Sequence, residues 1–175
     1  MAVSTEMGTV EILDRRRVTL IDAGVAGGNQ PYHHARLLDL ATAEEYIAAY
    51  AAGCERHAAE ELLRMEEELR RRQYEVAGLG LVLASGRPLP NLAAILAAHP
   101  LVHTAEGELF RGAFRTAGER RGIPVVGIRE RDLGLDARIP ALGPPWTSDH
   151  KAAARAAYHA LSGLRGRAPG SELAQ

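Results

Sequence analysis

The chain has 175 residues, 46% hydrophobic and 25% charged, with a formal net charge of −1. That length supports one globular domain, and an ordinary apolar fraction with near-zero charge excludes disorder along the whole chain. No window reaches the ~18–20 apolar residues of a membrane span, residues 1–17 carry acidic groups and no apolar core, unlike a secretory signal, and the single cysteine, Cys54, cannot form an internal disulfide, so the cytoplasm is the expected compartment.

Residues 1–8 read as a flexible terminus, 9–162 as the domain, and 163–175 as a frayed tail. The first predicted strand covers 9–13. A second covers 17–22, where Val18 and Leu20 alternate with polar or smaller residues. The cluster Gly24, Gly27, Gly28, Asn29 and Pro31 predicts a loop. Residues 32–40 fit either a strand or a short helix. A long helix is predicted over 42–73, opened by a Thr42–Glu45 capping box. Ile47, Ala51, Cys54, Ala58, Leu62, Met65 and Leu69 give it one apolar stripe. The pairs Glu60–Arg64, Glu66–Arg70, Glu67–Arg71 and Glu68–Arg72 lie at i,i+4 on its polar side.

Residues 74–84 predict a central strand between those at 17–22 and 123–128, because the segment is apolar on both faces. A turn follows at 85–88. Asn91 caps a short helix that Pro100 stops near His99. A further helix covers 105–121 behind an N-cap at Thr104, with Gly122 just past its end. Residues 129–145 are irregular. Thr147 or Ser148 caps the last helix, alanine-rich, to about Leu161. This order predicts an α/β domain with a mixed central sheet and helices on its faces.

The stretch 103–111, HTAEGELFR, concentrates ionisable groups. With a helix starting near Thr104, His103 and Glu106 converge at its N-terminus, where they can bind a metal or act as acid and base. The same residues also read as a cap and a surface, with Glu108 paired to Arg111. His33 and His34, after the glycine loop, offer imidazole for a metal or plain hydrogen bonds. His57 and His99 show no partner by spacing, and Cys54 sits on the apolar stripe. His103 and Glu106 are expected to line one pocket with at least one of His33, His34 or Asp22.

Three segments resemble the RNase H-like fold, and within it the bacterial Holliday-junction resolvases. Leu20-Ile21-Asp22-Ala23-Gly24 is similar to a strand ending on a metal-binding aspartate. Residues 119–125, ERRGIPV, resemble the helix, glycine and strand before the closing segment. Residues 148–157, SDHKAAARAA, resemble a final helix opened by a catalytic aspartate. The chain departs from that pattern in two places: GLGLVLASG carries no carboxylate on its strand, and Ala152 stands where a second aspartate is usual. The resemblance implies a metal-dependent phosphodiesterase or nuclease, with Asp22, Asp149 and Glu106 or Glu108 holding Mg²⁺ or Mn²⁺ and His103 shuttling protons. Its partners would be nucleic acid or a small phosphorylated ligand. Near-neutral charge lacks the basic excess of non-specific nucleic-acid binders. Two other readings stand beside it: a non-catalytic α/β module, homo-oligomeric through the long helix, and a metal-free small-molecule enzyme built on His103 and Glu106.

Overall fold

The computed structural model describes residues 1–6, 9–83, 88–134, 139–140 and 142–165. Residues 85–87 of the expected turn and 166–175 of the expected tail lie outside them. The chain divides into two compact units, where the sequence reads as one domain. A sheet unit takes Met1–Arg17, Glu75–Leu83 and the chain from Gly122 onward; a helical unit takes Val18–Tyr74 and Ala84–Arg121.

In the sheet unit, β1 (Ala2–Glu6) pairs antiparallel with β2 (Thr9–Asp14). Residues 1–8 were expected to be flexible, and β1 corrects that for Ala2–Glu6. Val3 opposes Ile12 and Thr5 opposes Val10, so β-branched and apolar side chains meet across the ladder on one face. β3 (Leu79–Leu83) pairs parallel with β4 (Val125–Arg129) and with no other described strand. The expected single central sheet is therefore two separate two-stranded sheets among the described residues. The missing strand is 17–22, which has no ladder partner. Its period-two pattern has another cause: Leu20 belongs to the helical unit and is buried at 7% exposure, lining a cavity with Tyr50 and Cys54 of that unit's long helix.

The last helix, α5 (Ser148–Arg165), packs on β1, β3 and β4. Thr147 opens it as expected: its hydroxyl oxygen accepts the His150 N–H at 3.4 Å, in the manner of an N-cap. Ala156 and Ala160 are buried. A β-carbon on Gly80 would fall 2.2 Å from the Ala156 carbonyl oxygen, so the glycine is what lets β3 approach the helix backbone. Arg15, just after β2, donates to the carbonyls of Gly143 and Pro145 at 2.9 and 2.6 Å, tying the approach to α5 back to the hairpin.

The helical unit is built on α2 (Leu40–Arg71), 32 residues long. Its N-cap is Asp39, not Thr42. The Asp39 carboxylate accepts the Thr42 N–H at 3.1 Å and the Thr42 hydroxyl at 2.6 Å, so threonine is the donor of the cap. Those hydrogen bonds hold the Asp39 carboxyl below its usual range. Tyr50, Cys54, Ala58, Leu62 and Leu69 form the buried stripe, and the helix packs along α4 (His99–Arg120). Arg120 and Arg121 reach Glu55 and Glu66 on α2. Glu66 is therefore engaged across the helix pair.

The start of α4 differs most from expectation. Pro100 does not stop a helix; it lies in the first turn of one, where its missing N–H costs nothing. α4 thus begins six residues before the expected 105. Thr104 is inside it, with its hydroxyl donating to the Pro100 carbonyl at 2.9 Å. α3 (Leu92–Ala97) precedes it, and Asn91 caps α3 by accepting the Ala94 N–H at 2.9 Å. Between strand and helix for residues 32–40, the chain takes helix: α1 (Pro31–Ala35), with proline in its first turn.

Candidate metal centre

On α4, His99, His103 and Glu106 stand at i, i+4 and i+7, which places them on one face of the helix. That face meets α1. Tyr32 packs in a core with Ile95, Val102 and Ala105, and this contact carries its neighbour His33 to the α4 face. The loop before α1 is fastened in turn by α2. The Tyr46 and Tyr50 hydroxyls donate to the carbonyls of Ala26 and Gly28 at 2.6 and 2.5 Å. Between them Gly27 has φ +81°, and a β-carbon there would lie 2.8 Å from both His34 Cβ and the Tyr46 hydroxyl. Only glycine meets both conditions.

The three imidazoles of His33, His99 and His103 gather here, each with a ring nitrogen within 4.8 Å of the others'. Ring centroids are 4.6 Å apart for His99–His103, 4.8 Å for His33–His103 and 5.3 Å for His33–His99. His99 Nε2 and His103 Nε2 are 3.1 Å apart. Two nitrogens bound to one tetrahedral zinc at ~2.0–2.1 Å would stand about 3.3 Å apart, so that pair already has ligand spacing. Glu106 lies behind the cluster at 8% exposure, the one buried charged residue among those described. Its Oε1 is 2.8 Å from His33 Nδ1, and its Oε2 is 3.8 Å from His103 Nδ1. The backbone N–H of His33 also points at Oε1, at 3.4 Å. A carboxylate held against the far nitrogen of an imidazole fixes the ring's tautomer and orientation. Burial, and then the Glu106 charge, push the Tyr32 phenol above its ordinary range.

His103 and Glu106 thus lie with His33, although not at a helix N-terminus: both sit beyond the first turn of α4. Glu108 pairs with Arg111 at 3.0 Å on the helix surface. Asp22 lies in the helical unit, exposed in a turn that does not end a strand; its carboxylate accepts from Arg56 Nη2 and pairs with His57 Nε2, both at 2.9 Å. Asp149 belongs to the sheet unit, exposed in the first turn of α5. His34 turns to the Tyr46 ring, with centroids 4.9 Å apart. His99 joins the set although the sequence assigns it no partner; its spacing to His103 is the signal, because two histidines four apart on a helix share a face. The expected stop at Pro100 would put a helix boundary between them, whereas Pro100 lies in the first turn of α4. His57 likewise has a partner, Asp22, that lies far away in sequence.

Cys54 is buried at the centre of α2, as its place on the stripe implied, and burial pushes its thiol up to about 11. Burial also raises the phenols of Tyr46 and Tyr50. All these groups are neutral when protonated, and the folded chain favours that form. Their stabilising contribution is complete below the unfolded-state values, ~8.5 for cysteine and ~10 for tyrosine, and falls as pH rises from there through the folded values. Urea midpoints should therefore decline from about pH 8.5 upward. In Cys54→Ala the first part of that decline should vanish, leaving a fall that begins near pH 10. A midpoint as steep between pH 8.5 and 10 in that variant would contradict the assignment.

Comparison with protein-family models, with curated proteins and with solved structures finds no match to this chain.

Proposed function

We propose that the helical unit binds a late first-row transition-metal ion, zinc in the first place, through His33, His99 and His103, and uses it for hydrolysis. The observation that carries this reading is the set of three clustered imidazoles with a buried carboxylate behind them. Imidazole nitrogen suits zinc, iron, nickel and copper, whereas magnesium and manganese favour oxygen ligands. This reading therefore moves the metal from the carboxylates Asp22, Glu108 and Asp149 to histidine, and gives Glu106 a supporting role. Three protein ligands leave a fourth position for water, the pattern of catalytic rather than structural zinc. Bound metal supplies acidity, bringing the pKa of such a water to about 7. The protein's part is orientation. Glu106 accepts a hydrogen bond from the His33 Nδ1–H, which leaves His33 Nε2 with the free lone pair. His99 and His103 are exposed, so a metal held by them would be reachable from solvent. Phosphodiesters, the class implied by the resolvase resemblance, and carboxylic esters are the substrates to try.

Titration of chelator-treated protein with Co²⁺, followed by its visible absorption, tests the site. Hydrolysis of bis(p-nitrophenyl) phosphate and p-nitrophenyl acetate tests the reaction. One equivalent of Co²⁺ should bind with tetrahedral-type bands, and hydrolysis should need metal. Glu106→Gln should weaken metal binding by ~10–100-fold, the usual effect of losing an outer carboxylate. No bands, or hydrolysis indifferent to chelator, would contradict the proposal; the latter outcome would favour His33 and Glu106 as a metal-free general base.

A further inference from the structure

A cavity of about 300 Å³ opens along α2, lined among others by Leu20, Val25, Tyr46, Tyr50, Cys54 and Gly53. At its polar end stand Asp22, Arg56 and His57. Nothing in the metal proposal uses it. We infer that this cavity is a second ligand site, for a flat bicyclic aromatic molecule that carries a single N–H or O–H donor.

Size sets the first limit. An apolar cavity of ~150 Å³ holds benzene, so twice that volume suits two fused rings. The walls set the second. Tyr46 and Tyr50 make part of the wall aromatic, which suits an aromatic ligand. Their hydroxyls are already donated to the loop carbonyls of Ala26 and Gly28, so the rings are held in place before any ligand arrives. The Cys54 thiol is kept neutral by burial and adds no charge.

The polar end sets the third. A carboxylate has about four lone-pair positions. Arg56 and His57 engage one on each oxygen of Asp22, leaving acceptor capacity for a ligand's donor. An anionic ligand would have to displace Asp22 from Arg56, and Glu60 stands 3.7 Å from the other nitrogen of His57. A neutral donor meets neither obstacle.

Gly53 supplies the separate observation. It lies inside α2, where glycine is the poorest helix former after proline. It lines the cavity, and a β-carbon placed on it meets nothing within 4 Å. No close packing demands glycine here. The missing side chain leaves open the space that a ligand would fill.

The test is calorimetric titration of the full chain with indole. Indole should bind saturably at one site, and 1-methylindole, which lacks the donor, at least tenfold more weakly. Gly53→Leu should fill the cavity, abolish binding and keep or raise the melting temperature. Should that variant not fold, intermolecular NOEs in the unaltered protein decide, and they should connect indole protons to the Val25 methyls and the Tyr46 ring. Absence of saturable indole binding, binding unchanged in Gly53→Leu, or NOEs confined to other residues would overturn the site. Equal binding of 1-methylindole would overturn the role given to Asp22.

Discussion

Replacing both His99 and His103 by alanine should remove metal binding while leaving the fold intact. Four-ligand zinc sites bind with an apparent ~10–16 kcal/mol, about 3 kcal/mol per ligand. Losing two ligands therefore costs on the order of 10⁴-fold in affinity. Both residues are exposed, His103 with 56% of its side chain accessible. Surface substitutions of this kind change stability by about 0.5 kcal/mol or less. Isothermal titration with Zn²⁺ and urea unfolding of the same variant separate the two effects. Retained tight binding would show that the imidazoles are not the ligands. A collapsed urea midpoint would show that they hold the fold.

Gly80→Val should be the most destabilising single change in the sheet unit, by about 3 kcal/mol or more, since overpacking against atoms that cannot retreat exceeds the usual cost. The reason is geometric. The added β-carbon meets the Ala156 carbonyl oxygen at 2.2 Å and the Ala157 nitrogen at 2.9 Å, both helix backbone. Nothing there can rotate away. Gly112, on α4 with nothing within 4 Å of its would-be β-carbon, is the control. Gly112→Ala should stabilise by up to ~1 kcal/mol through helix propensity. Equal urea midpoints for Gly80→Val and the parent chain would mean that β3 does not lie against α5 as described.

Those two glycines illustrate what could be read from the sequence. Long-range packing decides their roles, and no local pattern distinguishes them. What local chemistry dictates was legible: the long amphipathic α2, the Asn91 cap of α3, the glycine loop, and the alanine-rich α5 with Thr147 before it. β1 was not, because AVSTE is short and mostly polar and becomes a strand only by pairing with β2. Residues 17–22 failed in the opposite direction. Their alternation reflects Leu20 buried in the cavity wall, with no ladder beside it. The same alternation places Asp22 at a strand end, the context of one of the three segments that carry the resolvase resemblance.

The candidate site was half legible. His103 and Glu106 drew attention because ionisable groups crowd that stretch, and His33 because it follows a glycine loop. Their union is tertiary: Tyr32 anchors α1 on α4, and residue 33 reaches Glu106 across 73 positions of sequence. His99 was within reach of sequence reasoning. Proline at the start of a helix and proline after its end look alike until the helix itself is placed, and that one ambiguity separated His99 from His103.

Zinc K-edge X-ray absorption on the zinc-loaded protein distinguishes imidazole from carboxylate ligation. The expected spectrum shows three imidazole nitrogens and one light-atom ligand at ~2.0–2.1 Å, with imidazole multiple scattering that persists in Asp22→Asn and Asp149→Asn and weakens in His33→Ala. A shell of oxygen donors without the imidazole signature, or scattering unaltered in His33→Ala, would contradict the histidine ligation.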